Sequence, residues 1–414
     1  MIFVLVLAII GAVFMAFNNG ANDVANAFAS AVGSKALKLK HALVVAAILN
    51  FFGAILLGGN VSATLINGVI HVGMFSDVSS YIVGMLSCLI ASGCFVLLST
   101  QTGLPVSSTH ALVGSMIGIA LTLGGIKSIN WVYFVMLTFS WICCPFIAAT
   151  CSLLMIKNIK FLIFRMGENG VLKRTCQWVP FLGCITLGIV AYAIKNGTAL
   201  KRLIIPHLCL IFFLIIFPIS YLILHKIAKQ IAKQSEETFH GAERVFRRFQ
   251  AGTSCLVGFA IGSNDVANSI TPVLAIYFVM KNHAIPVTFD QYTIPVWMLA
   301  IGGIGMSSGV LALGYKIIRT LGHRITLLTN SRGFSVDFAT ATTIIISSML
   351  GIPVSSTHAA TGAVIGVGLD NGLNGLNLPL LTKIFLTWIV TVPMSAIFTI
   401  TIFHILNFVV SLIL

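Results

Sequence analysis

The stretch "NNGANDVANAFAS", residues 18–30, is the part of the sequence from which the fold can be worked out. It follows sixteen residues, Ile2 to Phe17, that carry no charged or amide side chain, and it then places four amides and Asp23 within nine residues. A charged side chain at the centre of a membrane costs roughly 2.5 to 3.5 kcal/mol on insertion scales. Asp23 is therefore expected to have a partner or a function.

The composition around this stretch is that of a membrane protein. The 414 residues are 58% hydrophobic and only 8% charged, and the mean hydropathy is +1.04, far above that of soluble proteins. Apolar runs predict an all-α, polytopic protein of the cell membrane with about eleven or twelve transmembrane or re-entrant segments, the last kinked or split at Pro393. Residues 1–33 lack a basic region and a cleavage site, so we expect a retained helix and not a signal peptide.

The charged residues indicate topology more than binding. Lys and Arg number 24 against 10 Asp and Glu, a net charge of +14, but the cations collect in short polar loops, above all at 225–248. This pattern marks the cytoplasmic side of a membrane protein and does not indicate nucleic-acid binding. Anionic lipid is the lesser alternative for that cluster. The nine cysteines show no CxxC spacing, so neither a disulfide framework nor a zinc site is predicted.

Two motifs occur twice, in the same order. "GANDVANAFA" at 20–29 returns as "GSNDVANSIT" at 262–271, and "GLPVSSTHALVGSMIGIAL" at 103–121 returns as "GIPVSSTHAATGAVIGVGL" at 351–369. The offsets of 242 and 248 residues indicate a duplication. We predict two transport repeats, 1–156 and 251–414, around a central insert, 157–250, with two transmembrane helices and the basic loop. An even number of apolar segments between the NDVAN copies favours inverted repeats with broken helices and a site near the midplane.

Each NDVAN motif has the side chains for a cation site. The aspartate and the second asparagine are three residues apart, which puts them on one face of a helix; the pairs are Asp23 with Asn26 and Asp265 with Asn268. Their hard oxygen atoms suit Na⁺ or a protonatable site. Gly20 and Gly262 are expected to break the helices and to expose carbonyl ligands. The alternative is that Asn and Asp only cap a broken helix.

"PVSSTH" predicts a helix start, with proline in the first turn and hydroxyls beside the free backbone amides. A helix N-terminus of this kind binds anions. The two starts, from Pro105 and Pro353, are expected to face one another and to hold a tetrahedral oxyanion. The candidate ligands are Ser107, Ser108, Thr109, Ser355, Ser356 and Thr357. Ordinary helix capping is the alternative. His110 and His358 are interpreted as hydrogen-bonded structural residues, and Pro145 as a kink.

The NDVAN cation sites and the PVSST anion site together predict coupled transport. An oxyanion beside two carboxylates is repelled unless a cation or proton lies between them, and neither motif contains Lys or Arg. Cation binding to the aspartates should therefore raise the affinity for the anion, which is symport in outline.

GANDVANA, GSNDVANS and the paired PVSSTHA segments together resemble the inorganic phosphate transporter (PiT) family of sodium- or proton-coupled phosphate symporters. The resemblance covers both halves of the chain, and Ser263 and Ser269, which replace Ala21 and Ala27, remove no ligand. It implies an inverted-repeat fold, phosphate at the two PVSST helix starts, cations at Asp23, Asn26, Asp265 and Asn268, and a homodimer in the lipid bilayer. The implied partners are inorganic phosphate and Na⁺ or H⁺, with no other cofactor.

Three alternatives compete with phosphate symport. A sulfate permease of the same fold would use similar hydroxyl ligands, and the family includes members that resemble sulfate permeases or carry metal-phosphate complexes. An intramembrane hydrolase could use Ser, His and Asp, but no GxSxG nucleophile elbow occurs. A channel is the third. We therefore expect a transporter and no enzyme, with Na⁺ and H⁺ both open as the coupling ion.

Overall fold

The computed structural model describes residues 2–102, 106–196, 212–289, 292–321 and 328–413. Twelve α-helices form within these residues, which confirms the all-α prediction. They are α1 Ile2–Gly33, α2 Leu39–Gly68, α3 Val78–Thr102, α4 Ser108–Gly124, α5 Trp131–Ile159, α6 Val171–Asn196, α7 Phe217–Lys233, α8 Phe239–Asn282, α9 Val296–Leu321, α10 Asn330–Met349, α11 Ser356–Leu369 and α12 Leu378–Ile413.

Eight of the described helices are long and apolar enough to cross a membrane, namely α1, α2, α3, α5, α6, α7, α9 and α12. Large apolar side chains on their outer faces are exposed, as Phe146 on α5 (69%) and Ile389 on α12 (72%) illustrate. Such side chains belong against lipid, because a soluble protein rarely exposes so many together. The chain is a multi-pass integral membrane protein.

The PVSST motifs lie at the tips of two helical hairpins. In the first hairpin, α3 and α4 are antiparallel, since a Cβ on Gly84 near the start of α3 would contact Ile119 near the end of α4. In the second, α10 and α11 are in contact at their base, where Arg332 Nη2 lies 2.5 Å from Asn371 Oδ1. The helix interruptions therefore occur at the PVSST tips.

The two hairpins enter the bundle from opposite ends. Helix α5 begins beside the base of the first hairpin and ends beside the base of the second, where Lys160 Nζ is 2.5 Å from Asp370 Oδ2. Its 29 residues span about 43 Å at 1.5 Å per residue. A hairpin adds two crossings or none, so the described helices between the NDVAN copies give an even number of crossings in either case. The prediction of inverted repeats requires this arrangement.

The division into two repeats and an insert stays a prediction. The predicted boundary between residues 250 and 251 lies inside the continuous helix α8, while α6 and α7 occupy the predicted central insert.

The prediction that Gly20 and Gly262 break their helices is wrong. Helices α1 and α8 run through both glycines without interruption. A Cβ on Gly20 would lie 2.0 Å from Met306 O, and one on Gly262 2.2 Å from Asn50 O, so these glycines allow neighbouring helices to touch through their backbones. Pro393 likewise does not split its helix, because α12 is continuous around it.

Positive charge is concentrated at one end of the bundle, the end that carries Lys160 and Asp370. It includes residues 225–248, predicted as a basic loop, which the structure instead divides among the end of α7, a short turn and the start of α8. At the other end, the described cations are Lys127, Lys195 and Lys281. The positive-inside rule assigns the basic end to the cytoplasm, and we refer to it as the cytoplasmic end.

Candidate functional site

The hairpin tips meet at the middle of the bundle, beside the NDVAN segments of α1 and α8. Thr109 Oγ1 donates to Val354 O at 3.3 Å, and Thr357 Oγ1 donates to Val106 O at 3.0 Å. Each tip thus satisfies a backbone carbonyl of the other. The two PVSST helix starts face one another, as the sequence predicts, although Pro105 itself lies outside the described residues.

Two carboxyl groups face each other at this meeting point. Asp23 and Asp265 are both fully buried and lie close enough to interact directly. Two carboxylates so placed in a medium of low dielectric constant cannot both remain charged without a proton or a cation between them.

The first NDVAN copy connects α1 to both tips. Asn26 Nδ2 donates to Asp23 Oδ1 at 3.3 Å and to Thr357 Oγ1 at 3.0 Å, so the two motif residues share a face as their spacing predicts. Ser108 Oγ donates to Asp23 Oδ2 at 3.2 Å. A single carboxylate is therefore held by its own motif and by the first tip.

The second NDVAN copy has a different pattern of hydrogen bonds. Asn268 Nδ2 donates to Ser108 Oγ at 3.1 Å and to Thr109 Oγ1 at 3.3 Å, whereas the bond to Asp265 Oδ1 comes from Asn264 at 2.7 Å. The second asparagine of each motif thus contacts the hairpin tip of the other half. This crosswise pairing joins the two halves at the site.

The first asparagine of each motif also belongs to the candidate site, and the sequence reasoning missed it. Asn22 Nδ2 donates to Thr100 Oγ1 at 3.1 Å, near the tip of the first hairpin. Asn264 Nδ2 donates to Val354 O at 2.6 Å, and its Oδ1 accepts from Val354 N at 3.4 Å. Both residues hold a hairpin against an NDVAN helix. Their recurrence directly before each aspartate was the signal that could have revealed them.

The hydroxyls of the PVSST tips divide into two roles. Ser107 and Ser355 cap α4 and α11, since their Oγ atoms accept from His110 N at 3.2 Å and His358 N at 3.3 Å. Capping uses a lone pair and leaves each O–H free to donate. The hydroxyls one and two residues further along are buried at the centre, on Ser108, Thr109, Ser356 and Thr357. The capping alternative therefore describes one hydroxyl of each tip. Of the others, Ser108 Oγ, Thr109 Oγ1 and Thr357 Oγ1 already donate within the site.

The two histidines tie each hairpin to a helix of the other half. His110 Nδ1 donates to Trp388 O at 3.2 Å, and His358 Nδ1 donates to Trp141 O at 3.0 Å. In a helix with all its backbone hydrogen bonds, Trp141 O would accept from the N–H of residue 145, but Pro145 has no N–H. His358 supplies the missing donor. This geometry agrees with the interpretation of both histidines as hydrogen-bonded structural residues.

Several buried oxygens around the carboxylates have no hydrogen-bond donor. They are Asn19 Oδ1, Asn22 Oδ1, Asn268 Oδ1 and Asp265 Oδ2. Buried acceptors without donors are costly, and among the described residues the buried side chains include no Lys or Arg to compensate them. Carboxylate, amide and hydroxyl oxygens are the ligands of hard cations such as Na⁺. The donor set fits such an ion.

A further buried carboxylate, Asp337 on α10, belongs to a separate cluster. Ser30 Oγ donates to its Oδ1 at 2.6 Å, and Ser254 Oγ donates to its Oδ2. Both oxygens thus have a donor, as do both oxygens of Asp23, whereas Asp265 Oδ2 has none.

Comparison with known proteins identifies the family. The model of the phosphate transporter family matches residues 19–399. The chain belongs to this family. A Thermococcus kodakarensis protein, provisionally named a phosphate permease, is 36% identical over 413 residues, which cover 97% of each chain. Inorganic phosphate transporter 2-1, chloroplastic, of Arabidopsis thaliana is 33% identical over 409 residues, 92% of this chain and 69% of that protein.

A solved structure is similar to this family member in both fold and sequence. It is titled "The sodium-dependent phosphate transporter" and superposes with a TM-score of 0.92 at 35% identity, over 98% of this chain and 99% of that chain. The family consists of transporters, so the chain is not an enzyme, and the intramembrane hydrolase alternative is excluded.

Proposed function

We propose that this member of the phosphate transporter family is a secondary active symporter that carries inorganic phosphate together with Na⁺. The observation that supports this most is the buried pair of facing carboxylates, Asp23 and Asp265, at the meeting point of two hydroxyl-bearing helix N-termini. The solved neighbour is named for sodium dependence, and the same coupling ion is proposed here.

Phosphate would bind between the two tips. Helices α4 and α11 both begin there, and the first backbone N–H groups of a helix have no intrahelical acceptor. The hydroxyls of Ser107, Ser355 and Ser356 would add donors, and those of Ser108, Thr109 and Thr357 could donate only by leaving their present acceptors. The positive ends of two helix dipoles also favour an anion. Monohydrogen phosphate also carries one O–H that a carboxylate can accept, which sulfate lacks. The site therefore favours phosphate over sulfate.

Na⁺ would bind to the NDVAN oxygens. Two facing carboxylates could share a proton, but the unsatisfied amide oxygens of Asn19, Asn22 and Asn268 would gain nothing from it. An amide oxygen coordinates a metal cation and is not protonated near neutral pH. The amide ligands thus favour Na⁺ over H⁺ as the coupling ion.

The binding of Na⁺ and the binding of phosphate are coupled because the two ions and the carboxylates interact through their charges. Two unit charges about 4 Å apart interact by about 4 kcal/mol at an effective dielectric constant of about 20. Phosphate beside two bare carboxylates would meet repulsion of this order from each, and bound Na⁺ would replace it with attraction. The affinity for each ion should therefore rise when the other is bound, by the same factor.

The test is uptake of radiolabelled phosphate into proteoliposomes driven by an inward Na⁺ gradient alone, and separately by a pH gradient alone. We expect accumulation above the external concentration with the Na⁺ gradient only. Accumulation with the pH gradient alone would assign the coupling to H⁺, and equilibration without accumulation would indicate a channel. If excess sulfate suppressed uptake as strongly as excess unlabelled phosphate, the preference for phosphate would be refuted.

A further inference from the structure

A cavity of about 590 Å³ lies at the cytoplasmic end of α5, far from the central site. Its lining combines three cations with three phenyl rings. The cations are Lys157, Lys160 and Arg165, the rings are Phe161, Phe164 and Phe239, and Glu243 is the one carboxylate. A basic, aromatic concavity between helices at this side of a membrane protein has the chemistry of a lipid headgroup site.

A single turn of π-helix forms part of the lining of the cavity. Helix α5 continues into a π-turn over Lys160–Phe164, in which Arg165 N donates to Lys160 O at 2.8 Å. The wider turn changes the direction of the side chains that follow. The Arg165 guanidinium lies over the ring of Phe161, 5.1 Å from its centroid, and the rings of Phe164 and Phe239 are 5.6 Å apart.

The charges in the cavity are not equivalent. Lys160 is paired with Asp370 at 2.5 Å, and the Glu243 carboxylate accepts from Ser331 N at 2.9 Å and Ser331 Oγ at 2.5 Å. Within the described part of the chain, no carboxylate lies within ion-pair distance of Lys157 or Arg165. Lys157 and Arg165 thus have no ion-pair partner among the described residues, and with the charge of Glu243 counted the three groups carry one net positive charge toward an anion from outside the chain.

The cavity lies at the depth of the lipid headgroups. Lys157 is 26 residues beyond Trp131, an exposed aromatic residue at the other end of α5, and this separation is roughly 39 Å at 1.5 Å per residue. The hydrocarbon core is about 30 Å thick, and about 40 to 45 Å with the headgroups. A surface that begins at Trp131 in one headgroup layer therefore reaches the other near Lys157.

The lipid-facing side of α5 leads directly into the cavity. Ile142, Phe146, Leu154 and Phe161 are each more than half exposed, at 54%, 69%, 55% and 58%. Their spacing of about one or two helical turns places them along one side of α5, with Lys157 between the last two. An acyl chain packed on this stripe would bring its phosphate to the cations.

We propose that this cavity binds an anionic phospholipid of the cytoplasmic leaflet. The phosphodiester contacts Lys157 and Arg165, and the glycerol and acyl carbons lie against Phe161 and the exposed stripe of α5. Free phosphate would use the same cations, but it would leave the phenyl wall and the apolar stripe uncovered. The stripe is the reason for choosing a lipid. The proposal is independent of which ion the central site couples to transport.

The test is native mass spectrometry of the purified full-length protein titrated with phosphatidylglycerol or phosphatidylcholine. We expect tighter binding of phosphatidylglycerol, and a roughly thirtyfold loss in the Lys157→Gln/Arg165→Gln double variant, about 2 kcal/mol at 1.4 kcal/mol per tenfold. The matched control is Lys226→Gln/Lys229→Gln, which removes two exposed cations from α7 at the same end of the bundle. The control should keep the wild-type affinity.

Three results would overturn the proposal. Equal losses in the two double variants would show that only general surface charge attracts the lipid. Equal affinity for the two lipids would remove the role of the anionic headgroup. Displacement of phosphatidylglycerol by inorganic phosphate at equal concentration would identify the occupant as the free anion. All the substituted side chains are exposed, so the variants are expected to fold, and their melting temperatures should match that of the wild type.

Discussion

Replacement of Asp23 by Asn tests the cation site with minimal change of shape. The carboxylate accepts from Ser108 and Asn26 at 3.2 and 3.3 Å. An amide has the same outline and can still accept through its oxygen, and the Ser108 hydroxyl can rotate to accept from the new amide nitrogen. The substitution therefore removes one negative charge and leaves the packing of a fully buried residue in place.

The expected loss of Na⁺ affinity can be estimated from the distance between the carboxylate and the bound ion. A unit charge about 4 Å from a bound Na⁺ contributes about 4 kcal/mol at an effective dielectric constant of about 20, which corresponds to roughly a thousandfold in a dissociation constant. Asp265 remains in the variant and retains part of the attraction. We therefore expect the Na⁺ concentration for half-maximal phosphate uptake to rise by at least about tenfold.

The assay is uptake of radiolabelled phosphate by proteoliposomes across a series of Na⁺ concentrations, with equal amounts of incorporated protein. Asp77→Asn is the matched control, because it removes an exposed carboxylate just before α3. Its Na⁺ curve should coincide with that of the wild type. An Asp23→Asn curve that also coincides with the wild type would refute the assignment of this carboxylate to the cation site.

Three further predictions concern the tips, the helix packing and pH. Ser108→Ala with Ser356→Ala should raise the phosphate concentration for half-maximal uptake by about tenfold or more, because Ser356 would lose a hydrogen bond to a charged ligand, about 1.5 to 3 kcal/mol, and Ser108 its bond to Asp23; a fall in expression alone would support a purely structural role for both hydroxyls. Gly20→Ala places a Cβ 2.0 Å from a backbone carbonyl of α9 and should destabilise the protein by at least about 2 kcal/mol, measured as a lower melting temperature in detergent. Hydrogen bonds from the Ser80 hydroxyl and from backbone N–H groups lower the pKa of Asp77, so its stabilisation of α3 is present at neutral pH and lost as the pH falls through that lowered pKa. Asp77→Ala should therefore lower the melting temperature at pH 7 and have less effect at strongly acidic pH.

The helices and the residues that meet at the candidate site could be predicted from the sequence, because both depend on local patterns. Apolar runs fix the number of segments, and the recurrence of NDVAN and PVSST marks the residues that meet. The structural role of Gly20 could not be predicted in this way. Glycine in a membrane helix serves either as a hinge or as a point of close contact, and only the presence of the Met306 carbonyl beside it decides between the two.

Contacts between the halves also lie beyond the sequence pattern. The three-residue spacing predicts the bond between Asn26 and Asp23, but in the second copy Asn268 bonds to the opposite hairpin tip. The bond from His358 to Trp141 O depends on how α11 packs on α5. Such contacts join residues that are hundreds of positions apart, and their geometry is set by helix packing.

Equilibrium binding of radiolabelled phosphate to the purified protein, in Na⁺ and in choline at equal ionic strength, tests the central claim most directly. That claim is that the facing carboxylates of Asp23 and Asp265 repel phosphate until cations neutralise them. The account predicts a phosphate affinity at least about a hundredfold higher in Na⁺, from roughly 3 kcal/mol of relieved repulsion. The same affinity in Na⁺ and in choline would contradict it.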